Sequence, residues 1–296
     1  MGWPLKNMAA WKEPLIWISG GVVVFALWLG LTFPYEALHT RIIGELQRKT
    51  GIEVHATHWT VGFPLTLEWR QLTVSKPGWA PIELGAMRAR VDLLQALTGS
   101  VAIDLTAQMD VQSPATGTVS STVTASSWSL TGPLTVTGNI KQVDLSKLVG
   151  QYVSRGTLTG EFTHRLENLH AASPASFGEG TWRMQARDLS LDQVPVGNGR
   201  TLSLTVNTLS VGLSCRQQIC TVTELKGDGI DGSVSGEGTI AVQLPVQQSQ
   251  LALSLTVIPG AGFAAKAANF GIPPLPPGTP FTFKVQGTLA QARLAL

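Results

Sequence analysis

The stretch that decides the fold is Phe63-Pro-Leu-Thr-Leu-Glu-Trp-Arg-Gln-Leu-Thr-Val74. Leu65, Leu67 and Trp69 alternate with Thr66, Glu68 and Arg70, the period of a strand with one apolar face. Leu72 and Val74 resume the alternation one residue out of step, so a bulge is expected at Gln71. Phe63, Leu65, Leu67 and Trp69 then line either a core strand or an apolar groove. The same texture recurs at 101–111, 117–124, 127–140, 156–164, 180–190, 202–213, 219–225, 233–242, 250–257 and 280–289. With the opening strand this makes about eleven short runs bounded by Gly, Pro, Asp or Ser, which predicts an all-β body. Helical patterns are few and short, at 93–97, 145–152 and 263–270, and no alternation of strand with long helix appears. The expected body is a twisted antiparallel sheet over 51–296.

Composition agrees. Of 296 residues only 14% are charged, against about 25% in ordinary soluble domains. A chain this poor in charge is not disordered. A net charge of +2 also argues against nucleic acid as a partner, since that binding rests on a basic surface. Gly156-Thr-Leu-Thr-Gly160, Gly178-Glu-Gly-Thr-Trp182 and Gly236-Glu-Gly-Thr-Ile240 share a glycine-threonine texture, echoed at Gly287-Thr-Leu289. Turns before strands explain them, as does a duplicated unit of bent strands.

Upstream of the sheet, Leu15–Phe33 carries no charged residue and as a helix would span about 28 Å, close to a bilayer's hydrocarbon core. Trp17 and Trp28 lie toward its ends, Val23 and Phe25 in its middle, and Pro34 closes it. The following Thr-Phe-Pro-Tyr-Glu is a poor cleavage context, so an uncleaved anchor with a tail at 1–14 is expected rather than a signal peptide. Within 34–50, Leu38, Ile42, Ile43 and Leu46 recur at helical spacing opposite Arg41, Glu45, Arg48 and Lys49, an amphipathic helix ended by Gly51. Positive charges near the anchor do not decide its orientation. Cys215 and Cys220 flank a four-residue loop between two alternating runs. Paired, they staple a hairpin and suit an oxidising compartment; unpaired, they are two buried thiols. A cytoplasmic tail and an outward-facing body follow from the first reading.

Chemistry is hard to find. Gly227-Asp-Gly-Ile-Asp-Gly232 has the letters of a dinucleotide loop, but a β run follows it and two carboxylates would repel phosphate. It reads as a turn, with calcium at Asp228 and Asp231 as the minor alternative. His55 and His58 fall on opposite faces of a strand. Nothing completes a four-ligand zinc site, and no serine sits in a nucleophile elbow. No catalytic, metal or cofactor residue is assigned, and a non-enzyme is expected. Whether the apolar face closes on itself or stays an open groove suited to acyl chains is not readable from the period. A transmembrane barrel would fit the alternation, although the preceding anchor argues against it.

These residues resemble the type II secretion system protein N (general secretion pathway protein N) family. The resemblance lies in Phe33-Pro34-Tyr35-Glu36, the following helix, Gly51-Ile-Glu-Val54, Phe63-Pro64-Leu65-Thr-Leu67 and Leu72-Thr-Val74. It continues through Leu84–Leu97, Gly156–Gly160, Gly229–Ile240 and Val285-Gln-Gly-Thr-Leu289. The anchor, the Phe-Pro-Leu strand and the glycine-rich runs are also similar to AsmA-like β-groove proteins of Gram-negative envelopes, many of which are considerably longer. The first resemblance implies a single-pass inner-membrane protein with a periplasmic body that contacts other secretion-system subunits. The second implies a protein that binds or transfers phospholipid. Neither brings a catalytic motif.

Overall fold

The computed structural model describes residues 21, 24, 35–50, 53–62, 65–75, 81–92, 95, 96, 98–110, 117–127, 132–149, 153–167, 178–197, 200–243, 248–268, 278–288 and 291–295. Two compact units divide at Val54 and His55. In the first, helix α1 spans Tyr35–Thr50, with Glu36 in its first turn and the Thr40 hydroxyl donating to the Glu36 carbonyl. Of the expected anchor only Gly21 and Val24 are described, both helical and exposed. Leu15, Trp17, Val23, Phe25, Trp28 and Phe33 lie outside the described residues. Among those described, no helix is long and apolar enough to cross a membrane.

The rest is strand. In chain order come β1 (Glu53–Gly62), β2 (Thr66–Ser75), β3 (Ile82–Val91), β4 (Val101–Gln108), β5 (Thr118–Ala125) and β6 (Leu134–Asp144). The short helix α2 (Leu145–Val149) precedes β7 (Val153–Leu166), β8 (Glu179–Gly197), β9 (Arg200–Arg216), β10 (Ile219–Gly229), β11 (Gly232–Ala241) and β12 (Gln250–Pro259). Helix α3 (Ala261–Ala268), β13 (Phe281–Thr288) and β14 (Gln291–Ala295) complete the chain. All fourteen strands form one sheet in the order of the sequence, β1 to β14. Every pairing from β2 to β14 is antiparallel. The sheet is open, with β1 and β14 at its two ends.

The body is therefore all-β, with more strands than the alternation alone suggests. Strand β3 is one of those the alternation does not pick out, and within the short helix expected at 93–97 the two described residues, Gln95 and Ala96, are helical. The run expected over 127–140 corresponds to β6, Leu134–Asp144, and β9 is longer than 202–213.

The expected bulge at Gln71 is a kink instead. Arg70 pairs with Ala86 and Leu72 with Leu84, so β2 holds no extra residue against β3. Gln71 instead takes a φ of 51°, in the left-handed region. The ladder carries this line across β3 and β4 to Gly117, whose N–H donates to the Gln142 carbonyl at 3.0 Å. Gln142 has a φ of 47°, and here the register with β7 does slip, between Ile140 and Val143. Asp188 in β8 is kinked likewise, at 51°. A buried aliphatic side chain follows each kink: Leu72, Val143 and Leu189. At the other end of β4–β6, Val101, Ala125 and Leu134 form a core with Ile103, Val123, Val136 and Leu166 against them.

Candidate functional site: the apolar face of the sheet

Because paired residues on antiparallel strands share a face, the register can be followed from strand to strand. One line runs Leu67, Ala89, Leu105, Ser121, Gly138, Phe162, Trp182, Leu213, Val222, Gly238, Leu253, Val285, Leu294. It takes one residue from every strand β2–β14, and only Ser121 is polar. A parallel line holds Val91, Ile103, Val123, Val136, His164, Gly180, Cys215, Cys220, Ile240 and Leu251. A third begins at Trp69 and passes through Met87, Ala107, Val119, Ile140, Gly160, Met184 and Val211. The neighbouring line on the opposite face is polar: Asp104, Thr122, Thr137, Thr163, Thr181, Ser214, Thr221, Thr239.

The two faces differ in exposure as they do in chemistry. Thr137, Thr163, Thr181, Thr221 and Thr239 are exposed, whereas none of the described apolar-line residues is. Yet few of the apolar residues are fully buried; most are half-buried. Among the described residues no second layer lies over them. Besides the strands, the described residues of this unit hold α2, which packs on β7 and touches β3, α3, beside β11 and β12, and a helical turn at Gln95 and Ala96.

The relief of the apolar face is set by glycine opposite a ring. Phe162 pairs with Gly138 on one side and Trp182 on the other, and the two rings stack at 4.6 Å with 12° between their planes. A Cβ on Gly138 would run into the Phe162 ring, so the ring occupies the space that a side chain there would take. His164 lies over Gly180 in the same way, its ring 6.2 Å from Trp182. Covering a strand glycine with a cross-strand ring compensates for the missing side chain. These glycines lie inside strands or just before them, as do Gly160, Gly236 and Gly238. The repeated glycine-threonine runs are thus small-against-large pairs rather than turns alone.

Leu67 and Trp69 belong to this face, and Trp69 is 6% exposed. Leu65 does not: it sits in the turn before β2 with a φ of 49° and is exposed. Phe63 lies outside the described residues. Cys215 and Cys220 are joined in a disulfide directly across β9 and β10, both buried. Gly227–Gly232 is a hairpin connection whose two turn residues are Ile230 and Asp231, and the cation at the Asp231 carboxylate is Lys266, at 2.6 Å. His55 and His58 are both exposed. Among the described residues no three His, Cys, Asp or Glu side chains gather as metal ligands would.

Arg88, Asp104, Glu161 and Arg183 all fall on the other face. Glu68 accepts from Arg70 Nε at 2.9 Å and from Arg88 at 3.0 Å. The Arg70 hydrogen bond, then that of Arg88, holds its carboxyl below the usual carboxylate range. A shallow depression of about 670 Å³ has Asn139, Lys141, Glu161 and Arg183 in its lining, together with Ile140 and Met184.

No family model, curated protein or solved structure matches this chain.

Of the three kink residues only Gln71 breaks the alternation of its own run visibly, yet all three share a local signal. Arg70-Gln-Leu-Thr-Val74, Lys141-Gln-Val-Asp-Leu145 and Arg187-Asp-Leu-Ser-Leu191 repeat one pattern: a base, Gln or Asp, an aliphatic, a polar residue, an aliphatic. Two apolar residues three apart around a polar pair mark where period two slips.

Proposed function

We propose that this chain is a non-catalytic accessory subunit of the type II protein secretion machinery, anchored in the inner membrane with its sheet in the periplasm. The observation that supports a binding role best is the open, single-layer sheet. It presents an apolar face without a second layer among the described residues, and two end strands able to take up extended chain. The Leu15–Phe33 hydropathy supports the anchor, and the Cys215–Cys220 bond favours an oxidising compartment. In this reading the partners are the bilayer and other secretion-system subunits, and catalysis is left to them.

A second reading has its own observation. Apolar lines that run from strand to strand suit acyl chains, as an AsmA-like lipid-binding or lipid-transfer protein would require. Deletion of the gene separates the two. Reduced export of secreted proteins with an unchanged lipid composition supports the secretion role. Normal export with a disturbed outer-membrane lipid balance replaces it with the lipid role. Native mass spectrometry of the full-length chain gives the molecular counterpart, with co-purified phospholipid favouring the second reading.

A further inference from the structure

The β8–β9 hairpin outreaches its neighbours. Its own pairing continues to Gly197 and Arg200, but β7 last pairs with β8 at Leu191, and β10 last pairs with β9 at Thr208. Among the described residues, Arg200–Leu204 therefore has a strand on one side only, while Gly229 at the end of β10 lies against Thr205 and Val206. Main-chain groups along this edge still need partners, and two of them have found side chains. The Thr205 N–H donates to Asp231 Oδ2 at 2.6 Å, and the Ser203 carbonyl accepts from Lys266 Nζ at 2.9 Å. The same ammonium bonds the same carboxylate oxygen at 2.6 Å.

Ser203 and Thr205 are two apart, so both direct their main-chain groups to the same edge. Carboxylate and ammonium therefore supply the acceptor and the donor that a neighbouring strand would supply. The pair is well enclosed: the Asp231 side chain is 7% exposed and that of Lys266 34%. Asp231 comes from the β10–β11 turn and Lys266 from α3, so neither is local to β9. A helix that ended one turn earlier would take away the donor to the Ser203 carbonyl.

The guarded edge needs guarding. Thr201-Leu-Ser-Leu-Thr-Val-Asn-Thr-Leu-Ser-Val211 contains no charge, no glycine and no proline. That is the composition that favours pairing with identical chain. The run is also self-complementary: antiparallel pairing about Ser203 sets Ser203 opposite Ser203, Thr205 opposite Thr201 and Leu204 opposite Leu202 of a second copy. We propose that the Asp231–Lys266 pair is an autoinhibitory edge guard, and that the partner it holds off is a second copy of this chain, paired through Thr201–Thr205. This inference is independent of the secretion role.

The test is the particle mass of the full-length chain in mild detergent, by light scattering over a dilution series, with hydrogen exchange at 200–206. Lys266→Met keeps the apolar stem and removes the donor. It is expected to double the protein mass per particle at high concentration and to slow exchange at Ser203 and Thr205 as the copies pair. Adding Ser203→Pro removes an edge N–H that the β8 ladder does not use, and should return Lys266→Met to the wild-type mass. Asp231→Asn gives the same reading should Lys266→Met fail to fold. A Lys266→Met protein that stays monomeric overturns the proposal. So does a dimer that survives Ser203→Pro, or a wild type that already pairs through this edge.

Discussion

Replacing Gly138 with alanine puts the apolar face to a quantitative test. The added methyl enters the Phe162 ring, whose Cε2 lies 2.9 Å from the Cβ position with two further ring atoms closer still. Ordinary carbon contacts sit near 3.5–4.0 Å, so the ring must withdraw by about 1 Å or more. It cannot do so and keep its stack on Trp182 at 4.6 Å. Overpacking of this kind costs about 1–3 kcal/mol. Losing the stack adds about 0.5–1.5 kcal/mol. Alanine recovers about 0.5–1 kcal/mol by restricting the unfolded chain. The net expectation is a loss of about 2 kcal/mol, or a fall in Tm of about 4–8 °C for a unit of this size. Far-UV circular dichroism follows the melt, and the near-UV signal reads the environment of Trp182. The decisive arm repeats the change in a Phe162→Leu background, where the clash is gone and Gly138→Ala should become neutral or stabilising. Equal cost in both backgrounds refutes the small-against-large account of the face.

Three further expectations concern other parts of the fold. Glu68→Gln should cost about 0.5–1 kcal/mol at pH 7, a small figure because both arginines are mostly exposed. Since the folded carboxyl titrates below its ordinary 4.5, that contribution is complete above 4.5 and lost as pH falls through the lower folded value. Urea melts of the two proteins should therefore differ at pH 7 and converge in acid; a constant difference would exclude the ion pairs as its source. Gln71→Gly should stabilise by about 0.5 kcal/mol, because glycine accepts the left-handed conformation, while Gln71→Val should destabilise by more than about 1 kcal/mol. The reverse order of midpoints would show that the kink is not held against its own backbone preference. Replacing Cys215 and Cys220 together by alanine should cost about 2 kcal/mol for so short a loop and speed amide exchange at the β9–β10 turn. Unchanged exchange there would mean that strand pairing alone fixes the hairpin.

What could be read from the residues, and what could not, follows from the range of the forces involved. Strand alternation is local, so β2, β7 and β12 announce themselves in a few residues each. Strand β3 does not, because its apolar side is made of Gly85, Met87 and Ala89, small or flexible residues with little preference for strand. The Phe162–Trp182 shelf was hidden for a different reason. Its members are twenty residues apart in the chain, and only the register reveals that Gly138 and Gly180 leave room for Phe162 and His164. Asp231 looked like a turn residue, which it is, but its partner Lys266 lies in another element. Whether the sheet closes was unreadable in principle, since period two is the same in a barrel, a sandwich and an open sheet.

The strand order carries a consequence for how the molecule is made. Each strand from β2 onward lies beside the strand synthesised just before it, and no pairing waits for a distant part of the chain. Folding of β proteins is usually slowed by the entropy of closing long loops. Here each loop to be closed joins two strands consecutive in the chain, the longest at 260–280, so the sheet can grow by accretion at one edge. A chain emerging residue by residue, from a ribosome or through a pore, can lay down β2 and then each strand in turn. The growing edge is always the newest strand, and the older part of the sheet is already paired.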